Sequence, residues 1–229
     1  MAPIEIIAHR GASHERPENT LAAFTRAVEL GADGVELDVH LTADGVLVVH
    51  HDAVPHDPPS PGLADRGIGS LTFEELGKFR VGGEAIPTLE AVIRAVEGRA
   101  IVYCELKGPG TAAASVALLQ HLGAGAAVHS FDHRQIAAAR QLAPAVPRGV
   151  LEASYHVAPT FSMESVDARD LWMAAELIDR DLVDAVHAHR GRLNAWTVDA
   201  PAEMLRLAQR GVDGLCTNDV ALCRSLMRR

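Results

Sequence analysis

The chain has 229 residues, 48% of them hydrophobic but only 4% aromatic, and carries a formal charge of −9. That length suits one large core, and an aliphatic interior poor in rings is what buried strands packed under Ala-rich helices require. The negative balance argues against nonspecific binding to nucleic acid or to anionic membranes, so an anionic substrate needs a local source of positive charge. Cys104, Cys216 and Cys223 are odd in number and lack CxxC spacing, which points to neither a disulfide framework nor a zinc site. No apolar run reaches transmembrane length, and the first strand begins by Ile4, leaving no room for a signal peptide. A soluble cytoplasmic protein without stable membrane insertion is the expectation.

Ile4 to Ala8 forms a short buried strand ending at His9-Arg10-Gly11, and Pro17-Glu18-Asn19-Thr20 opens a helix that runs to about Leu30 and stops at Gly31. In the second strand, 34 to 41, Val35, Leu37, Val39 and Leu41 share one face while Glu36, Asp38 and His40 share the other. Two carboxylates thus point the same way, and burying them needs a cation, protons or hydrogen-bond donors in front of them. A turn at Ala43-Asp44-Gly45 leads to the run 46 to 49 and then to His50-His51-Asp52. Residues 53 to 87, rich in Pro, Gly and Asp and holding only a short helical piece from Thr72 to Phe79, form a loop insertion over the site.

Regular alternation then resumes, with helices at 88–97, 111–122 and 133–142 and strands at 100–106, 126–131 and 148–152. The stretch 153–178 is the least legible, with a helix near 162–168 and a strand near 171–175. Helix 179–189, strand 192–198, helix 201–210, strand 213–217 and a closing helix from 219 complete the chain. Strands each followed by a helix predict a parallel sheet with right-handed crossovers, closed as an α/β (β/α)8 TIM barrel. It forms a single domain over 1–229 with the short insertion after the second strand. An open doubly wound sheet is disfavoured because no GxGxxG follows the first strand.

Barrel chemistry sits at the C-terminal ends of the strands. Those ends deliver His9 and Arg10, then Glu36 and Asp38, then His51 from the hairpin, then Glu105 and Lys107, and later Trp196. Glu36, Asp38 and Glu105 make an all-oxygen site suited to Mg2+ or Ca2+. Arg10 and Lys107 suit an anion such as a phosphodiester, and His9 and His51 suit a general base and a general acid. Blander readings hold elsewhere. Glu18 is explained by its helix N-terminus rather than as a partner of Arg10, His40 as a rim residue, and His50 as a structural residue pointing away from His51. Trp196 is either core or an apolar wall, Cys104 and Cys216 are small core residues, and His121, His129, His133, His156, His187 and His189 are surface or satisfied core residues.

Taken in order, several short strings carry a resemblance. His9-Arg10-Gly11, Pro17-Glu18-Asn19-Thr20, Gly31-Ala32-Asp33, Glu36-Leu37-Asp38-Val39, Thr42-Ala43-Asp44-Gly45 and His51-Asp52 are followed by Ile86-Pro87-Thr88-Leu89, Glu105-Leu106-Lys107, Ser130-Phe131-Asp132, Trp196-Thr197-Val198-Asp199 and Gly211-Val212-Asp213-Gly214. The chain resembles the glycerophosphodiester phosphodiesterase family over nearly its whole length. The resemblance implies a TIM barrel that releases glycerol 3-phosphate and an alcohol with Ca2+ or Mg2+. It implies Glu36, Asp38 and Glu105 as metal ligands, His9 and His51 as base and acid, and Arg10 and Lys107 on the phosphate. It further implies attack by the substrate's own 2-hydroxyl through a cyclic phosphate. No role passes to Asn218, where the family more often has an acidic residue. A phospholipase D-like activity on lysophospholipids and a non-catalytic barrel for a phosphorylated ligand are the alternatives, and the oligomeric state is not legible.

Overall fold

Strand β1 (Glu5–His9) alternates Ile6 and Ala8, which pack against the outer helices, with Ile7, which faces the lumen. The computed structural model describes residues 3–56, 60–123 and 125–228. The same two-residue period in β2 (Gly34–Leu41) sends Val35, Leu37 and Val39 outward into the main core, which leaves Glu36 and Asp38 turned inward. A hairpin strand, β3 (Leu47–Val49), pairs antiparallel with β2, and a small ribbon of β4 (Arg80–Val81) and β5 (Glu84–Ala85) follows. The remaining strands are β6 (Ile101–Leu106), β7 (Ala126–Ser130), β8 (Arg148–Glu152), β9 (Asp170–Ala174), β10 (Arg192–Trp196) and β11 (Gly214–Thr217).

Apart from β3 and the ribbon, all pairings are parallel, and β1 pairs with both β2 and β11, so eight parallel strands close into a ring. The expected (β/α)8 barrel is therefore the observed one. Helix α1 (Leu21–Glu29) lies outside it, followed by α2 (Phe73–Leu76) in the insertion and then α3 (Leu89–Val96), α4 (Thr111–Leu122), α5 (His133–Leu142), α6 (Phe161–Val166), α7 (Arg180–Ala188), α8 (Pro201–Arg210) and α9 (Val220–Met227). Thr20, Thr88, Asp132, Asp179 and Asp219 cap helix N-termini with their side chains, so these strand-to-helix loops end in residues that satisfy the first free N–H groups.

Inside the ring, large side chains fit because small ones face them. A Cβ on Gly149 would meet Trp172 at 2.9 Å, so the glycine lets that indole cross the lumen and meet Tyr103 edge to face at 5.1 Å. Below these rings the N-terminal end is plugged by polar groups: Tyr103 donates to Glu5 at 2.8 Å, Arg192 reaches the other Glu5 oxygen, and Arg169 holds the buried Asp170 at 2.9 Å. Each of these buried charges has a partner, as burial demands.

The insertion departs from the expectation of a loop over the site. Two 3-10 turns, α2 and the ribbon surround a separate cluster in which Val48 packs with Leu63, Ile68, Leu71, Leu76, Phe79 and Ile86. None of its described residues lines the pocket described below. Its helix is one turn rather than the length from Thr72 to Phe79, because the Thr72 and Glu75 capping box starts it and Gly77 ends it.

Candidate active site

Strand register puts the reactive ends side by side: His9 lies opposite Glu36, Asp38 opposite Glu105, and Glu105 opposite His129. A pocket at the C-terminal mouth is lined by His9, Arg10, Glu36, His51, Glu105, Lys107 and Trp196, together with His129, Phe131 and Trp172. Of the residues singled out from sequence, Asp38 is the one outside this wall.

Asp38 lies buried beside it. Its Oδ2 accepts from Asn19 at 2.8 Å and stands 3.3 Å from Arg10 Nε, while Oδ1 is 3.6 Å from Lys107 Nζ. The groups whose ligand atoms converge within 4.8 Å are instead Glu36, Glu105 and His129. Asp38, expected beside Glu36 and Glu105, thus stands next to this trio and faces Arg10 and Lys107.

Arg10 is held tightly. Its backbone is left-handed with φ 56°, and Gly11 follows at φ 84°, where a Cβ would strike Ala23 at 2.7 Å. Glu18 accepts from Arg10 Nη1 at 3.0 and 3.1 Å through its two oxygens. The explanation of Glu18 by a helix N-terminus fails, because α1 starts at Leu21 behind its cap Thr20, and Glu18 orients Arg10. His40 is likewise not a rim residue: it is buried, with Nε2 3.3 Å from the carbonyl of His51, and steadies the loop that carries His51.

The two pocket histidines have unlike partners. His9 Nδ1 donates to Asn218 Oδ1 at 2.8 Å, and the Asn218 amide is fixed because its Nδ2 donates to Asp199 at 2.6 Å. His51 Nδ1 donates to the carboxylate of Asp52 at 2.8 Å. With Nδ1 engaged in each ring, Nε2 is the nitrogen without a hydrogen bond among the described residues.

Burial first, and then neighbouring carboxylates with Asp38 foremost, push Glu36 and Glu105 well above the ordinary carboxylate range. Burial lowers His129 to about 4, so its ring is neutral. Raised carboxyls keep protons in the folded protein that the unfolded chain has released, so the stability they lend at low pH is lost as pH rises from the ordinary carboxylate range through about 7. A divalent cation takes only the ionised pair. Added Mn2+ or Mg2+ is therefore expected to raise Tm more at about pH 8 than at about pH 6 in calorimetry, and equal shifts would contradict this electrostatic picture.

The model of the glycerophosphoryl diester phosphodiesterase family matches residues 9–222. The chain belongs to this family. A glycerophosphodiester phosphodiesterase from Caldanaerobacter subterraneus subsp. tengcongensis is 34% identical, with 98% of each chain covered. One from Bacillus altitudinis is 30% identical over 93% of this chain and 94% of its own. Among solved structures, an Oleispira antarctica phosphodiesterase in complex with the product sn-glycerol-3-phosphate superposes with a TM-score of 0.91 at 26% identity, covering 99% of this chain and 98% of that one. The protein is accordingly a phosphoric diester hydrolase.

Three features of this phosphodiesterase escape sequence reasoning. Asn218, to which no role was carried, holds His9. His129, grouped with surface and core histidines, is buried beside the carboxylates, and only its register opposite Glu105 distinguishes it. Phe131 packs edge to face on Trp196 at 5.5 Å, so Trp196 forms an apolar wall with a partner from the neighbouring loop. Cys216 also reaches the wall, but burial pushes its thiol far up and makes it a poor nucleophile. No helix among the described residues is long and apolar enough to cross a membrane.

Proposed function

We propose that this hydrolase cleaves glycerophosphodiesters to glycerol 3-phosphate and an alcohol, with His9 as initial base, His51 as initial acid and a divalent cation at Glu36, Asp38 and Glu105. The observation that carries this reading is the pair of imidazoles in one pocket, one anchored by a neutral amide and the other by a carboxylate. The locked Asn218 amide keeps the His9 proton on Nδ1, which leaves an Nε2 lone pair to accept a proton. Asp52 faces His51 with negative charge, suited to a ring that starts with both protons.

In the first step His9 Nε2 removes the proton of the glycerol 2-hydroxyl, whose oxygen attacks phosphorus. The bond from phosphorus to the alcohol oxygen breaks, and His51 Nε2 protonates the departing alkoxide. Water then opens the cyclic phosphate: His51, now neutral, takes a proton from the water, and His9 returns its proton to the 2-oxygen. Arg10 and Lys107 balance the charge on the non-bridging oxygens. When bound, the cation adds Lewis-acid polarisation of the phosphoryl group, and carboxylate ligands favour Mg2+ or Ca2+. The product held by the Oleispira relative supports a glycerol-bearing small-molecule substrate, and the charge of −9 disfavours a nucleic acid.

A substrate analogue with hydrogen in place of the glycerol 2-hydroxyl tests the route. Loss of the tethered nucleophile is expected to lower turnover by at least about 1000-fold. Turnover at the normal rate would assign the attack to water instead.

A further inference from the structure

Among the described residues, α4 is the one α-helix without an Asp, Glu, Lys or Arg. Its apolar residues run right round it. Val116 and Leu119 are buried in the main core, Leu118 and Leu122 stand half-buried on the flank toward α3, and Ala113 and Ala117 are exposed. A helix that is apolar all round is suited to being covered on more than one side. Here one flank stays open. Helix α3 packs on α1 and α4 packs on α5, but α3 and α4 barely meet, because β3 touches both and holds them apart. A groove results between the two helices. Val46, Leu47, Ala114 and Leu118 line its upper part, and Ile93, Val96, Val102 and Leu122 line its lower part, with hollows of about 420 and 250 Å3. Along the α3 rim the exposed charges run Glu90, Arg94, Glu97, Arg99, acidic and basic in alternation.

We infer that this face binds a second copy of the chain across a two-fold axis, with the two α4 helices antiparallel and Leu118 and Leu122 of each copy packed over the groove of the other. The charge pattern selects this occupant. A two-fold axis reverses the rim, which sets Glu90 against Arg99 and Arg94 against Glu97 in the other copy, so the row is complementary to itself. Two copies each carrying −9 repel one another in general, whereas these four charges sum to zero and α4 adds none. A footprint about 18 Å along α4 and about two helix diameters wide lies at the low end for a specific interface, so a Kd of about 1 to 100 μM is expected. The hairpin that floors the groove leads on to His51, so the second copy also covers an element that positions the pocket.

Sedimentation equilibrium of the full chain from about 1 to 300 μM tests this, with a monomer and dimer equilibrium as the expected result. Ala117→Glu, at an exposed position, should weaken the dimer at least about 10-fold while circular dichroism shows the fold unchanged. Arg94→Glu and Glu97→Arg should each weaken it about 3-fold or more, and the two together should restore it, because these residues face each other across the axis. Arg180→Glu on α7 makes the same change in net charge as Arg94→Glu but lies off this face, and should leave the Kd unaltered. A monomer throughout the range, a dimer indifferent to Ala117→Glu, a double reversal no stronger than the single ones, or an equal loss with Arg180→Glu would overturn the inference.

Discussion

His51→Ala is expected to lose about 100- to 10,000-fold in kcat on a glycerophosphodiester with an alkyl alcohol, and to recover most of that loss when the leaving group is p-nitrophenol. The alkyl alkoxide needs a proton as the bond to phosphorus breaks, and in the proposed mechanism His51, anchored on Asp52, supplies it. Nitrophenolate leaves without one. His9→Ala should lose a similar factor with both leaving groups, because the proposed route deprotonates the 2-hydroxyl in either case. Steady-state rates of the two variants on the two substrates therefore separate acid from base. Rescue of His9→Ala rather than His51→Ala by the good leaving group would reverse the assignment and detach it from the Asn218 and Asp52 anchors.

Glu105→Gln has the second large effect, and it runs in opposite directions for activity and for stability. The substitution removes a half-buried carboxylate that crowds Glu36 and Asp38, so the metal-free variant should be at least as stable as the metal-free parent at about pH 8. The same change would remove a charged ligand of the proposed cation. Activity at a fixed low cation concentration should fall at least about 100-fold and return only in part with excess cation. Calorimetry and turnover on the same samples check both halves. A variant that is markedly less stable without metal, or fully active at low metal, would contradict the role given to Glu105.

Most of the barrel was legible because its signals are local. The inward and outward alternation of β2, the cap residues ahead of α1, α3 and α5, and the repeated strand and helix units each follow from neighbouring residues. The expected strands 34–41 and 148–152 and the expected helices 111–122, 133–142 and 201–210 match the observed bounds. What stayed hidden depends on contacts between distant segments. Asp38 and Glu36 look alike in the sequence, and only the approach of Asn19, Arg10 and Lys107 to Asp38 tells their surroundings apart. Asn218 comes within reach of His9 through closure of the ring between β11 and β1, across 209 positions. The insertion's cluster is invisible for a related reason, since Leu63, Ile68, Leu71 and Phe79 follow no helical or strand period.

The most direct measurement is release of glycerol 3-phosphate from water-soluble glycerophosphodiesters by protein treated with EDTA, before and after divalent cation is restored, with a lysophospholipid as a parallel substrate. The structure-based account predicts no release without cation, release of glycerol 3-phosphate and free alcohol once cation is added, and faster turnover of the soluble diesters. Release that is indifferent to EDTA, or cleavage confined to the lysophospholipid, would contradict it.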